Sequence, residues 1–301
     1  MLSVAVALPQ EPPTVFRTAV SEVRVDVQVV EGKQVIPNLG AADFEIFDDE
    51  QAQPLLRFGR DSDPLSLVIL LDVSGSMKKY VRQMSEAARG ALQHLKPGDE
   101  VSIMLFARGT ETVSDFSNNV AEIERDLEVG VEQHTLPSGT AIYGALLDAA
   151  SALKEHALKK PNARRAVLIL TDNSSLNYQI TDAQVLEALF GADAVVNAIV
   201  TSSADRPKAY KLGNYRNPDF VPTDIFKIAE QTGGEALKVE RADRAFPLMM
   251  ERLRTRYSLV YKAPGGTPHT FRKIRVELSA AAKKKHSGST VRARSGYYTP
   301  S

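Results

Sequence analysis

Leu65-Ser66-Leu67-Val68-Ile69-Leu70-Leu71-Asp72-Val73-Ser74-Gly75-Ser76 is the stretch on which the fold turns, an apolar run that stops abruptly in oxygen-bearing side chains. A near-continuous run of this kind marks a strand covered on both faces in a parallel sheet. Gly75 allows a tight turn, so the side chains of residues 72, 74 and 76 can converge instead of alternating across a sheet. One carboxylate and two hydroxyls then face one small space. Such hard oxygens suit Mg²⁺, which takes a compact octahedron at about 2.0–2.1 Å and usually keeps some water.

Strand and helix patterns alternate on the carboxyl side of this stretch. Met84, Ala87, Ala88, Ala91, Leu92 and Leu95 recur at helical spacing until Lys96-Pro97-Gly98 ends the helix. Strands are expected over 101–106 and, more polar, over 110–116, followed by a short helix through Val120, Ile123 and Leu127. A further helix sets Ile142, Ala145, Leu146, Ala149, Ala150 and Leu153 on one stripe, and 166–170 is a second buried strand. Thr181-Asp182-Ala183-Gln184 has the form of a capping box, and beyond it lie a strand at 194–200, a helix near 224–231 and a strand near 236–239. This alternation predicts a doubly wound, mostly parallel, Rossmann-like α/β sheet.

Both flanks are β-rich. Val23, Val25, Val27 and Val29 alternate with polar residues, and turn chemistry separates Phe44-Glu45-Ile46-Phe47 from Leu55-Leu56-Arg57-Phe58. At the other end, Tyr257 to Tyr261 leads through Pro264-Gly265-Gly266 to an alternating run with Ile274, Val276 and Leu278, and then to Val291 and Tyr297-Tyr298. Isolated hairpins are marginal in water, so the two flanks are expected to pack together as one small antiparallel β domain with the α/β domain inserted in it. The expected boundaries are 15–62 and 257–301 for the β domain and 63–256 for the α/β domain. Residues 1–14 read either as the remnant of a secretory signal or as an unstructured start. Export to the periplasm or exterior is the expected location, with a cytoplasmic one left open.

Composition narrows the function. Of 301 residues, 37 are Lys or Arg and 37 are Asp or Glu, so no global field draws the chain to nucleic acid or to an anionic membrane. Lys283-Lys284-Lys285 is expected at a solvated hairpin tip, since no aromatic or arginine cluster adjoins it. The sequence has no cysteine, which removes thiolate metal sites and cysteine nucleophiles, and its five histidines form no H-x-x-x-H pair. No apolar run reaches the roughly 18–20 residues that span a bilayer.

D-x-S-x-S alone is a weak signal, arising by chance in roughly one chain of this size in ten. Thr140, in Pro137-Ser138-Gly139-Thr140, and Asp172, just past the strand 166–170, strengthen it. Each has an ordinary reading, as a helix N-cap and as a turn former. In a doubly wound sheet, however, both share with Asp72 the edge made by the carboxyl ends of the strands, where such folds bind ligands.

Over about residues 64–256 the chain resembles the von Willebrand factor A domains with their metal-ion-dependent adhesion site. The motif stands here as Asp72, Ser74 and Ser76, the loop threonine as Thr140 and the second aspartate as Asp172. The resemblance implies that the three hydroxyls meet Mg²⁺ directly (Mn²⁺ or Ca²⁺ being possible substitutes), that the aspartates act directly or through water, and that an Asp or Glu of a protein partner fills the open position. Asn173 departs from the pattern, a glycine being common there. The flanks look like a bacterial subgroup of exported A-domain proteins.

A non-enzymatic, metal-dependent adhesion or assembly module is therefore the expected function. An adaptor for a partner ATPase is the alternative, and a metal-dependent hydrolase the more remote one, because position 74 is Ser where a D-x-D phosphatase needs Asp, and no histidine base is placed. The polar connection 201–221 leaves a strand at the same edge; its Tyr210, Tyr215 and Arg216 are expected to contact the partner. Oligomeric state is not legible in the sequence.

Overall fold

The computed structural model describes residues 22–32, 34–60, 63–177, 179–207, 221–240 and 242–299. Its centre is a six-stranded sheet in the order Ala236–Val239, Ala194–Thr201, Arg164–Thr171, Leu65–Asp72, Glu100–Phe106, Thr110–Ser117. Only the last strand is antiparallel to its neighbour. All eight residues of Leu65–Asp72 are buried, and alternation sorts them between two cores. Leu67, Ile69 and Leu71 meet Met84, Ala88, Phe246 and Met249 on one face; Val68 and Leu70 meet Ile142, Leu146 and Leu189 on the other.

The helices Lys78–Leu92, Val120–Gln133 and Ala242–Arg254 cover the first face, while Ile142–His156, Asp182–Gly191 and Ile225–Gln231 cover the second. Chain order reverses beside Leu65–Asp72, whose neighbours are the strands that come second and fourth in the sheet's chain order. A crevice therefore opens at the carboxyl ends of Leu65–Asp72 and Arg164–Thr171. The capping box at Thr181 forms as expected, with Gln184 N–H donating to Thr181 and the Gln184 side chain accepting from the Thr181 N–H. The first helix stops at Leu92, short of Leu95, whose N–H closes a turn on the Leu92 carbonyl at 3.2 Å.

The flanking segments interleave. Glu22–Glu31 pairs antiparallel with Tyr257–Lys262 and with Ser289–Arg292, and Tyr257–Lys262 pairs in turn with Leu55–Gly59. A second sheet runs Gly296–Tyr298, Phe271–Leu278, Phe44–Asp48, Gln51–Gln53. The inward residues of the two sheets, among them Val25, Val27, Ile46, Tyr261, Ile274 and Val276, close one core. At its edge Asp48, fully buried, accepts hydrogen bonds from the Tyr261 hydroxyl at 2.8 Å, the Tyr297 hydroxyl at 2.9 Å and Arg272 Nε at 2.6 Å. Burial, then this carboxylate, pushes the Tyr297 hydroxyl up to about 12 and Tyr261 higher still, so both remain donors at any ordinary pH. One expectation is corrected here. Lys283 to Lys285 form the last turn of the helix Ala280–Lys285, which Ser279 caps by accepting from the Ala282 N–H, so they are not a hairpin tip.

A polar seam joins the antiparallel layer to the α/β sheet. The Arg256 guanidinium, 2% exposed, donates to the carbonyls of Gly233 at 2.6 Å and Asp26 at 3.1 Å, while Glu235 accepts from Arg252 at 2.5 Å and Arg292 at 3.0 Å. The backbone must also come close within the α/β sheet beside this seam. A Cβ on Gly234 would stand 1.9 Å from the Val196 carbonyl oxygen, well inside contact distance. Gly234→Ala should therefore force the strand Ala194–Thr201 and its neighbour apart and cost about 3 kcal/mol. Urea unfolding measures this loss; a variant within experimental error of wild type would contradict it.

Candidate metal centre

Asp72 ends its strand with a side chain that is 0% exposed. Its Oδ1 accepts the Ser74 N–H at 3.0 Å and its Oδ2 accepts the Thr171 hydroxyl at 2.7 Å. The Val73 N–H still reaches the Phe106 carbonyl at 2.9 Å, so the chain leaves the sheet only after that residue. Ser74 is extended (φ −60°, ψ 164°) and the turn Gly75–Met77 follows, which swings residues 74 and 76 to one side. Their hydroxyl oxygens lie 3.3 Å apart.

Thr140 reaches the same edge from a loop tied down by the Ala141 N–H, which donates to the Ala107 carbonyl at 2.7 Å. Its helix-capping reading is not what the structure shows. Ala141 occupies the N-cap without a side-chain bond, and the Thr140 hydroxyl makes no hydrogen bond among the described residues. The loop after Arg164–Thr171 supplies Asp172, partly exposed, whose Oδ1 accepts the Ser174 N–H at 2.9 Å. Ser175 joins the two loops, donating to the Thr140 carbonyl at 3.0 Å and accepting from the Ile142 N–H at 3.2 Å.

Burial drives the Asp72 carboxyl up to about 6, with a smaller push from the negative charge of Asp172; hydrogen bonds from Ser74 and Thr171 oppose the rise. No basic side chain lies within ion-pair distance of either carboxylate among the described residues. Nor do three His, Cys, Asp or Glu side chains cluster anywhere among them, so a cation here would rest on two carboxylates and three hydroxyls. That donor set fits a hard divalent ion. The serine oxygens are separated by little more than the roughly 3.0 Å edge of an octahedron with Mg–O bonds of about 2.1 Å. Any such ion would also relieve the uncompensated charge of Asp72.

Of the residues singled out in the sequence, Asp72, Ser74 and Ser76 are joined by direct contacts, Asp172 by its electrostatic effect on Asp72, and Thr140 through Ser175. Tyr210, Tyr215 and Arg216 lie outside the described residues. Sequence reasoning missed Thr171, Ser175 and the role of Asn173. Asn173 takes φ 59°, a left-handed backbone that explains why glycine suits this position, and asparagine tolerates it better than most residues. Its amide also donates to the Asp205 carbonyl at 2.8 Å and accepts from the Ile225 N–H at 3.2 Å. Asn173→Ala should lose both bonds and strain the loop, destabilising the fold by about 1–3 kcal/mol, with Asn173→Gly milder. Thermal melts of the pair check that order.

Hydroxyls and carboxylates thus lie at the switch point of a doubly wound α/β sheet, the edge where folds of this class bind ligands. Residues 67–174 match the von Willebrand factor type A domain, a stretch that contains all five candidate ligands. The central sheet is Rossmann-like in its winding, and additional antiparallel sheets accompany it. Inter-alpha-trypsin inhibitor heavy chain H1 of Mesocricetus auratus is 25% identical over 167 residues, covering 54% of this chain and 17% of that protein. The chain thus spans under a fifth of that relative. Similar solved structures include a von Willebrand factor type A protein from Catenulispora acidiphila (12% identity, 95% of this chain and 75% of that one, TM-score 0.48). An aerotolerance-related membrane protein from Bacteroides fragilis is another (17% identity, 63% and 98%, TM-score 0.48). A third is the mussel byssus proximal thread matrix protein 1 with a zinc-occupied adhesion-site motif (14% identity, 69% and 50%, TM-score 0.48). Domains of this type are generally protein-interaction modules and usually not enzymes. No helix among the described residues is long and apolar enough to cross a membrane.

Proposed function

We propose that the chain is a non-enzymatic protein-binding module that captures an Asp or Glu of a partner through Mg²⁺ held by Asp72, Ser74, Ser76, Thr140 and Asp172, with Mn²⁺ or Ca²⁺ able to take the same donors. The observation that carries this reading is the wholly buried Asp72 carboxylate, which has no basic partner among the described residues, beside the Ser74 and Ser76 hydroxyls that bond within the site and the Thr140 hydroxyl that bonds to no described residue. When bound, the metal supplies a Lewis-acidic position for a carboxylate oxygen. Asp72 and Asp172 provide the negative charge that holds it, and Ser74, Ser76 and Thr140 shape a neutral rim that leaves the arriving carboxylate attractive.

Tyr210, Tyr215 and Arg216 belong to this proposal as the partner-selective segment, and export as the location. Residues 15–62 with 257–301, and residues 63–256, are the corresponding folding units. Affinity capture from an extract of the source cells, run in Mg²⁺, in EDTA, and with ATP added, tests the reading. A partner retained by wild type in Mg²⁺ but lost in EDTA and in Asp72→Asn is expected; the same set of captured proteins in all arms would overturn it. Retention that depends on ATP would instead favour the adaptor reading.

A further inference from the structure

At the end of the sheet opposite the metal edge, beside the starts of Arg164–Thr171 and Ala194–Thr201, a cleft of about 970 Å³ opens between the α/β sheet and the antiparallel layer. Six strand residues, roughly 20 Å, separate Arg165 in this cleft from Thr171 at the other edge. Asp193 lines the cleft and accepts hydrogen bonds from Arg165 Nη2 at 2.9 Å and Arg294 Nη1 at 3.0 Å. Arg24 is near enough to act on the same carboxylate, yet it forms no ion pair among the described residues. Its Nη1 donates to the carbonyls of Asn162 at 3.1 Å and Ala163 at 3.3 Å, and its other nitrogens engage no described residue.

Two guanidiniums thus bind this carboxylate and a third acts on it from farther away, while Asp26 adds a second negative charge nearby. Arg294 Nε is buried and has no hydrogen-bond partner among the described residues. Lys154, in the last turn of Ile142–His156, adds an exposed ammonium that pairs with nothing described. The lining as a whole carries five Arg or Lys against three Asp or Glu. A partly desolvated cationic surplus seeks an anion, and guanidinium forks match the oxygens of carboxylate or phosphate. Phe190 and Tyr298 provide an aromatic wall in the same cleft, whose size falls in the roughly 300–1,000 Å³ range of small-molecule sites.

We propose that this cleft binds a small molecule with a phosphate or carboxylate, seated against Arg24, Arg294 and Lys154, and an apolar or aromatic body against Phe190 and Tyr298. The site is independent of the metal edge. Calorimetry on the full chain at matched ionic strength, with phenyl phosphate, benzoate and inorganic phosphate as probes, tests it. One aromatic probe should bind saturably, one per chain, with a submillimolar dissociation constant, and which of the two binds more tightly identifies the oxyanion. Arg24→Gln and Lys154→Gln alter side chains that are not part of the core, and each should weaken binding about five- to tenfold. EDTA and Asp72→Asn should leave binding unchanged, which separates this site from the proposed metal site. The proposal is overturned by the absence of saturable binding for both aromatic probes, by unchanged affinity in the double Arg24→Gln, Lys154→Gln variant, or by inorganic phosphate binding as tightly as the aromatic probes.

Discussion

Asp72→Asn should abolish Mg²⁺ binding and, at pH 7.5, make the metal-free protein more stable than wild type. Both effects come from one buried carboxylate. In the folded protein it titrates near 6, against an ordinary value of 3.8, chiefly because burial disfavours its charge. Between those values the folded state holds more protons than the unfolded one. The contribution to stability is complete below the unfolded value and is lost as pH rises through the folded one. A shift of about two units corresponds to roughly 3 kcal/mol at most. An asparagine removes the charge at every pH but has a single accepting oxygen, so either Ser74 or Thr171 loses its partner, which leaves a net gain of about 1 kcal/mol.

Urea titrations of metal-free protein across pH 4–8 should show wild type losing stability relative to Asp72→Asn as pH rises toward 6 and running parallel to it above. Adding Mg²⁺ should stabilise wild type alone, by about 2.7 kcal/mol at a hundred times its dissociation constant. Calorimetric Mg²⁺ binding by the variant equal to that of wild type would remove Asp72 from the site. A variant less stable than wild type at high pH would instead remove the uncompensated charge from the argument.

Asp48→Ala should be the most damaging single change in the antiparallel layer, at about 3–5 kcal/mol. The carboxylate lies on Phe44–Asp48, but its three donors, Tyr261, Arg272 and Tyr297, all come from the far end of the chain. Truncation takes the carboxylate from two phenolic hydroxyls and leaves the Arg272 guanidinium, only 16% exposed, with its ion pair to Asp49 at 3.2 Å alone. Asp48→Asn should cost less, since one oxygen still accepts. If the two flanks are one folding unit, as proposed, loss of protection against hydrogen exchange should appear together on both flanks. A cost below about 1 kcal/mol, or exposure confined to the first flank, would count against that unit.

How much of this was legible follows from the range of each interaction. Leu65–Asp72 could be read because burial on both faces leaves an uninterrupted apolar run, and the loop at Ser74 and Ser76 because Gly75 lies within it. The helix Ala242–Arg254 was not read, since Pro247 inside it interrupts the pattern that would announce a helix; its Phe246 and Met249 are nonetheless central to the core. The charge run Lys283 to Lys285 has the local signature of a solvated hairpin tip, whereas the helix it ends is set by the cap at Ser279. Thr171 and Ser175 matter to the candidate site through partners 99 and 35 residues away, Asp72 and Thr140, and no local period encodes such pairings. Asn173 did carry a signal, as a residue tolerant of left-handed backbone where glycine is common, but its two bonds to Asp205 and Ile225 depend on the tertiary fold.

The pairing of Glu22–Glu31 with Tyr257–Lys262 has a consequence for the order in which the protein is made. Val27 faces Tyr257, so about 230 residues must leave the ribosome after the first strand before its partner exists. At the roughly 5–20 residues per second of translation, that wait is on the order of 10–50 s. Meanwhile the α/β sheet, whose strands are all contained in the intervening stretch, can complete itself, while Leu55–Gly59 and most of Glu22–Glu31, whose last two residues alone pair with Gln34–Val35, remain open edges on the nascent chain. Unpaired strands with a valine-rich face invite pairing with other chains. The vulnerable species in the life of this molecule is thus the ribosome-bound chain, and the first moments of synthesis are where a chaperone would matter most.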